Sequence, residues 1–192
     1  RAASLMDLMY LRQRYVYDAL MKFYLLGRDE LIDDLAVPAG GSVLEIGCGT
    51  GRNLIRVARA YPAARCFGLD VSIEMLDTAC QALSHARLND RIRLARADAA
   101  CFDPEALFKQ SSFDRIFISY ALSMIPPWRD VLLRSAQRLS PGGSLHIVDF
   151  GDQSGLPPWF RSALNRWLGW FDVTPRSELR LAINDVTTAL NM

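Results

Sequence analysis

The stretch Val43-Leu44-Glu45-Ile46-Gly47-Cys48-Gly49-Thr50-Gly51-Arg52-Asn53 runs a short apolar segment straight into three glycines set two apart. A run of that length bounded by glycine reads as a buried strand. A loop without Cβ atoms, opening a helix, lets backbone N–H groups approach a ligand closely. Spacing narrows the ligand. A dinucleotide fingerprint needs its third glycine at position 52, which is Arg52, and a phosphate-cradling loop needs Gly-Lys-Ser/Thr, which is absent. Glu45 would repel a pyrophosphate and suits a ligand carrying a cationic amine.

Around this loop the chain alternates short apolar runs with amphipathic stretches, the rhythm of strand and crossover helix. Strands are expected at 42–46, 65–70, 92–95, 113–119 and 144–150, and helices at 51–61, 72–86, 105–108 and 128–139. Ser72 reads as an N-cap, and Ser140-Pro141-Gly142-Gly143 as a helix stop. Five strands joined this way predict an α/β fold with an open, doubly wound, mainly parallel sheet and ligand at the strands' carboxyl ends. Residues 5–35, apolar and aromatic at helical spacing, predict one or two N-terminal helices. One domain is expected over 1–192, made of a helical cap (1–36), a cofactor-binding core (42–150) and C-terminal helices (156–190).

Charge and cysteine use exclude other classes. Twenty-two Lys and Arg against 21 Asp and Glu leave a net charge of +1, so no bulk attraction to nucleic acid is expected. Cys48, Cys66, Cys80 and Cys101 are scattered without metal spacing. They read as small buried hydrophobes in a reducing cytoplasm, with no metal site. No apolar run is long enough to span a bilayer. With Arg1 in first place and no signal-peptide pattern, the sequence reads as starting inside a longer chain.

Glu45 through Gly51 resembles the first motif of class I S-adenosylmethionine-dependent methyltransferases, whose ligand is a nucleoside bearing a methionine zwitterion. The resemblance implies that Gly47, Cys48, Gly49, Thr50, Gly51 and Asn53 underlie the methionine portion while Glu45 neutralises its ammonium. Asp70, in Gly68-Leu69-Asp70-Val71-Ser72, takes the ribose hydroxyls, with helix capping as its plainer alternative. Val71 and Met75 lie near the adenine, and Asp98 with Ala99 accepts from the adenine amino group, against the alternative of a solvated loop acid. Ser119 and Ala121 flank the methionine and the transferring methyl.

A narrower resemblance runs through Arg14-Tyr15-Val16-Tyr17-Asp18, residues 22–29, residues 117–128 and His146-Ile147-Val148-Asp149-Phe150-Gly151. These segments are similar to the bacterial diacylglycerylhomoserine N-methyltransferases, which methylate one amine three times to give a betaine lipid. The resemblance implies that the N-terminal segment folds over the cofactor as a helical lid and that Arg28 with Tyr17 or Tyr24 binds the methionine carboxylate. Tyr120 and Tyr17 are the catalytic candidates, Tyr120 because an aromatic face favours the cationic amine that each methylation builds. Ser123, Met124 and Trp128 complete an acceptor wall. A dedicated base is optional, and neither His85 nor His146 is well placed to be one.

A lipid acceptor is met at a membrane surface. In 156–171, Trp159, Phe160, Ala163, Leu164, Trp167, Leu168 and Phe171 share one helical face, with Arg161, Ser162, Asn165 and Arg166 opposite. That pattern suits peripheral contact with the inner membrane face, against the plainer reading of a helix packed on the sheet. Family members usually add two antiparallel strands, whereas a helix over 177–190 ends about where a sixth strand would begin. Those strands are expected to be missing or disordered, which leaves an edge that a second copy could pair with. The alternatives are a phosphatidylethanolamine or small-molecule amine methyltransferase, a nicotinamide oxidoreductase, against which Arg52 and Glu45 both speak, and a non-catalytic cofactor-binding module.

Overall fold

The computed structural model describes residues 27–151, 153, 155, 157–170 and 173–190. Among them the sheet has five parallel strands: β1 (Ser42–Ile46), β2 (Arg65–Asp70), β3 (Ile92–Arg96), β4 (Phe113–Ser119) and β5 (Leu139–Val148). Their order is β3-β2-β1-β4-β5. The chain therefore winds outward from β1 in one direction and returns to β1's other side at β4. The loops leaving β1 and β4 diverge there and open the crevice in which such sheets bind ligands.

The helices are α1 (Arg28–Asp33), α2 (Arg52–Ala60), α3 (Ile73–Ala86), α4 (Pro104–Phe108), α5 (Trp128–Ala136), α6 (Pro158–Gly169) and α7 (Leu179–Ala189), with a 3-10 turn at Leu122–Met124. Ser72 caps α3 by accepting from the Met75 N–H, and Asp103 caps α4 through the Glu105 N–H. Every residue of β1 is buried. Strand alternation divides its side chains between two cores. Leu44 and Ile46 join Phe67, Phe113, Ile116 and Leu132 on one side, while Val43 joins Ile32, Leu54, Val57 and Phe117 on the other. Below the first face Phe67, Phe108 and Phe113 pack edge to face, with centroids 5.2 to 6.4 Å apart.

Three expectations change. Residues 140–143 are not only a helix stop, because α5 ends at Ala136 and β5 already begins at Leu139. Phe113 pairs with Leu139 and Arg115 with Ser144, so the extra β5 residues bulge out, with Gly142 at φ 74°. The strand also ends at Val148, leaving Asp149 and Phe150 free to turn into the crevice mouth. Of the cysteines, Cys80 and Cys101 are exposed and only Cys48 and Cys66 are buried. The first 26 residues of the expected lid, with Tyr17 and Tyr24, lie outside the described residues, as do Leu156 and Phe171.

No helix of the described residues is long and apolar enough to cross a membrane. Helix α6 is less sequestered than its apolar face suggests. Leu168 is buried and Leu164 and Trp167 are half-buried, but Trp159, Phe160 and Ala163 are exposed.

Candidate active site

The glycine loop folds as its spacing demands. Gly47, Gly49 and Gly51 all take left-handed φ, at 71°, 51° and 75°. The N–H groups of Gly47 and Cys48 both donate to the Leu69 carbonyl, pinning the loop to the end of β2. Gly47 has a second reason to lack a side chain. A Cβ there would stand 2.6 Å from the Ala121 Cβ, so the β1 and β4 loops touch backbone against side chain.

Glu45 sits at the bottom of this crevice, 1% exposed. Its Oε1 accepts from the Asn53 Nδ2 at 2.8 Å, whereas its Oε2 is buried and has no hydrogen-bond partner among the described residues. Burial raises its pKa to about 8, opposed by the Asn53 hydrogen bond and then by the Arg28 guanidinium. The carboxyl is thus held by one oxygen, with the other unpaired among the described residues. Asn53, expected at the ligand, is buried next to Glu45 and orients its carboxyl.

Asp70 ends β2 as a bridge. Its Oδ2 accepts from the Gly49 N–H at 2.8 Å and its Oδ1 from the Ser72 N–H at 3.0 Å. Burial pushes its pKa up, and those N–H groups oppose the rise. Capping of α3 belongs to Ser72, so the plainer reading of Asp70 as the helix cap does not hold. A carboxylate with about four acceptor positions and two donors in place keeps capacity for ligand hydroxyls. Val71 is half-buried next to it, and Met75 is buried on the first turn of α3. Asp98 is exposed after β3, where its Oδ1 takes the Ala100 N–H at 2.8 Å; Ala99 beside it is buried. Thr50 is half-buried in the loop.

Across the crevice, β4 ends in Ser119-Tyr120-Ala121. The Ser119 hydroxyl is buried without a partner among the described residues. Tyr120 is a non-glycine residue at φ 56°, a conformation costing of order 1 to 3 kcal/mol that persists only where its surroundings enforce it. Its N–H donates to the Val148 carbonyl, its ring meets Phe150 edge to face at 4.9 Å, and the Arg28 guanidinium lies over it at 6.0 Å. Burial raises the Tyr120 phenol to about 12, so it stays a neutral hydroxyl at physiological pH. Arg28, at the start of α1, acts electrostatically on both Glu45 and Tyr120 and so joins the two sides of the crevice. Around it Asp29 pairs with Arg52 and Arg56, and Asp33 with Arg56, in exposed bridges that tether α1 to α2 at little net energy.

The residues of the expected acceptor wall fall around one turn. Ser123 is buried, and its N–H donates to Asp149 at 3.1 Å. Trp128 is buried against the core with Arg129 and Arg176 over its ring. Met124 is half-buried. His146, which pairs with Phe117 inside the sheet, is 2.8 Å from the Ser144 hydroxyl, and burial lowers its pKa; His85 is exposed on the last turn of α3. The sequence reading assigned no role to Asp149, which stands within the quoted segment 146–151, or to Arg176, which lies 54 residues along the chain from the Leu122 carbonyl it bonds.

Residues 43–143 match the family model described as a methyltransferase domain. The chain is 30% identical over 139 residues to the demethylmenaquinone methyltransferase of Listeria monocytogenes serotype 4a, covering 72% of this chain and 56% of that protein. It thus spans about half the length of the curated relatives it matches. The fold aligns with geranyl diphosphate methyltransferase solved with S-adenosylmethionine, with a TM-score of 0.66 and 16% identity over 84% of this chain and 62% of that one. It aligns also with Haemonchus contortus phosphoethanolamine N-methyltransferase 2 in complex with S-adenosylmethionine, with a TM-score of 0.67 and 20% identity over 83% and 36%. The described sheet, its switch-point crevice and the family match together place this chain among the class I S-adenosylmethionine-dependent methyltransferases.

Proposed function

We propose that this chain binds S-adenosylmethionine in the crevice between the β1 and β4 loops and transfers its methyl group to an amine, with diacylglycerylhomoserine as the acceptor. The observation that carries the cofactor assignment is the Glu45 carboxyl, buried at the strand end with Oε2 unpaired beside bare glycine backbone. A buried acceptor without a donor costs about 1 to 3 kcal/mol, which a ligand ammonium removes. The unpartnered Ser119 hydroxyl faces the same requirement. Asp70 would hold the ribose and Asp98 the adenine amino group, with Val71, Met75 and Ala99 as its apolar bed. Arg28 would meet the methionine carboxylate.

When bound, S-adenosylmethionine supplies an already activated methyl on a sulfonium, so the side chains need only align the nucleophile and exclude water. The attacking amine must arrive neutral and leaves more cationic. The Tyr120 ring, steadied by Phe150, offers that cation an aromatic face. Isothermal titration tests the cofactor: S-adenosylhomocysteine is expected to bind and NAD is not, and the reverse result overturns the reading.

The lipid acceptor is supported by α6 and its surroundings, where Trp159 is 74% and Trp170 72% exposed and Arg161 and Arg166 are also exposed. Aromatic and basic residues together suit an anionic headgroup interface. Sedimentation with vesicles containing anionic phospholipid is expected to pull down the protein, and the double variant Trp159→Ala/Trp170→Ala to weaken that binding at least about tenfold. Equal sedimentation of both proteins removes the membrane contact. For the acceptor, a labelled methyl donor is offered with diacylglycerylhomoserine, phosphatidylethanolamine, a soluble amine and demethylmenaquinone. The last is included because it names the activity of a relative. Label on the homoserine lipid is expected; label on the quinone alone leaves a methyltransferase but removes the amine.

A further inference from the structure

Between Tyr120 and α5 the chain makes one tight turn, residues 122–125, and both its ends are gripped by residues from elsewhere in the sequence. On its N–H side, Asp149 Oδ2 accepts from the Ser123 N–H at 3.1 Å, while Oδ1 accepts from the Phe150 N–H at 2.7 Å. On its carbonyl side, Arg176 donates from Nε to the Leu122 carbonyl at 3.1 Å and from Nη2 to Ile125 at 3.0 Å and Ser123 at 3.4 Å. The neighbouring Thr174 N–H adds a bond to the Ser123 carbonyl at 2.9 Å, and the Arg176 N–H donates to the Phe150 carbonyl at 3.2 Å. Arg176 also covers the Trp128 ring at 5.7 Å, and Arg129 pairs with Glu178.

We propose that Asp149 and Arg176 are positioning residues that grip the 122–125 turn from its two ends and so hold Tyr120 in its left-handed conformation against the reacting centre. The proposal rests on the methyltransferase reading of the crevice. A tyrosine at φ 56° relaxes toward ordinary backbone unless both flanks are fixed. One flank is the Val148 carbonyl, which accepts from the Tyr120 N–H; the other is this turn, joined to the corner by the Met124 N–H on the Ala121 carbonyl. The guanidinium spreads these donors over Nε and Nη2 in one rigid plane, whereas the three donors of an ammonium radiate from a single atom. The segment after α6 is thereby part of the site.

Hydrogen exchange on the whole chain tests this without any acceptor. In Arg176→Ala, peptides covering 120–126 are expected to exchange at least about tenfold faster, with 45–53 unchanged. Affinity for S-adenosylhomocysteine should fall by less than about fivefold, because the Glu45 and Asp70 contacts are untouched. In the methyl-transfer assay kcat is expected to fall about 10- to 100-fold, since a misplacement near 1 Å suffices for that. Arg176→Lys should keep the charge without restoring kcat. If Arg176 variants do not fold, Asp149→Asn, which keeps one acceptor oxygen and sets an amide donor against one of the two N–H groups, should give the same local rise in exchange. Unchanged exchange at 120–126, a uniform rise over the chain, or full rescue by lysine overturns the proposal. Failure of the wild-type chain to bind S-adenosylhomocysteine sinks the methyltransferase reading instead, and the exchange pattern still reads the grip.

Discussion

Glu45→Gln is expected to abolish cofactor binding while making the protein more stable in alkaline solution. The two effects have one cause, the burial of a carboxyl with only half its hydrogen bonds made. Its pKa near 8 lies above the ordinary carboxylate value, so between those limits the folded chain holds a proton that the unfolded chain has lost. Stability from this group is complete below about pH 4.5 and is lost as pH rises through 8. Gln imitates the protonated form at every pH and has no such slope. Across that window its advantage over the wild type should grow by about 3 to 5 kcal/mol, read as a rising difference in melting temperature. Affinity for S-adenosylhomocysteine should fall at least about 100-fold, the cost of leaving an ammonium buried without its partner.

The same proton gives the wild type a pH signature. From pH 6 to near 8 an incoming ammonium must displace the Glu45 proton, so affinity is expected to rise about tenfold per pH unit and level off as the ligand's own amine deprotonates. In Glu45→Gln the slope should vanish. A flat profile in the wild type, or a variant that binds normally, contradicts the role given to Oε2.

The second large effect is expected at Gly47. Alanine there must adopt φ 71° and bring its Cβ to within 2.6 Å of the Ala121 Cβ. Left-handed backbone and overpacking together cost about 2 to 5 kcal/mol, and any relief by movement pushes the β1 and β4 loops apart across the crevice. Gly47→Ala should therefore lose both thermal stability and cofactor affinity. The two contributions separate in a double-mutant cycle. Ala121 lies at φ −105°, which glycine adopts freely, so Gly47→Ala/Ala121→Gly should recover the clash but not the backbone strain. Strict additivity in that cycle would mean that the loops do not meet as described.

The loop at 45–51, the five apolar runs and the carboxylates ending the first two strands were legible because each is a local pattern. A parallel strand buried on both faces must be continuously apolar, and a glycine with positive φ announces itself by type. The polarity of Glu45 inside such a run was the sharpest local signal, and the structure sharpens it further by leaving one oxygen unpaired. Where local reading fell short, a tertiary contact decided. Nothing local joins Asn53 to Glu45, and helix α2 brings its amide onto the carboxyl. Nothing local sets Arg176 over the Trp128 ring beside the neighbouring Arg129. The Ser-Pro-Gly-Gly stop became a bulge inside β5 because Leu139 found Phe113 as a partner before the strand proper began.

By itself, then, the order of residues determined the alternation of strand and helix, the end of the sheet that carries the glycine loop and the acid set inside the first apolar run, since these depend on neighbours within a few positions. The tertiary structure alone decided how Tyr120 is held, through Val148, Asp149 and Arg176. Those contacts join segments up to 54 residues apart, and no periodicity or motif encodes a hydrogen bond whose two ends meet only after the chain has closed.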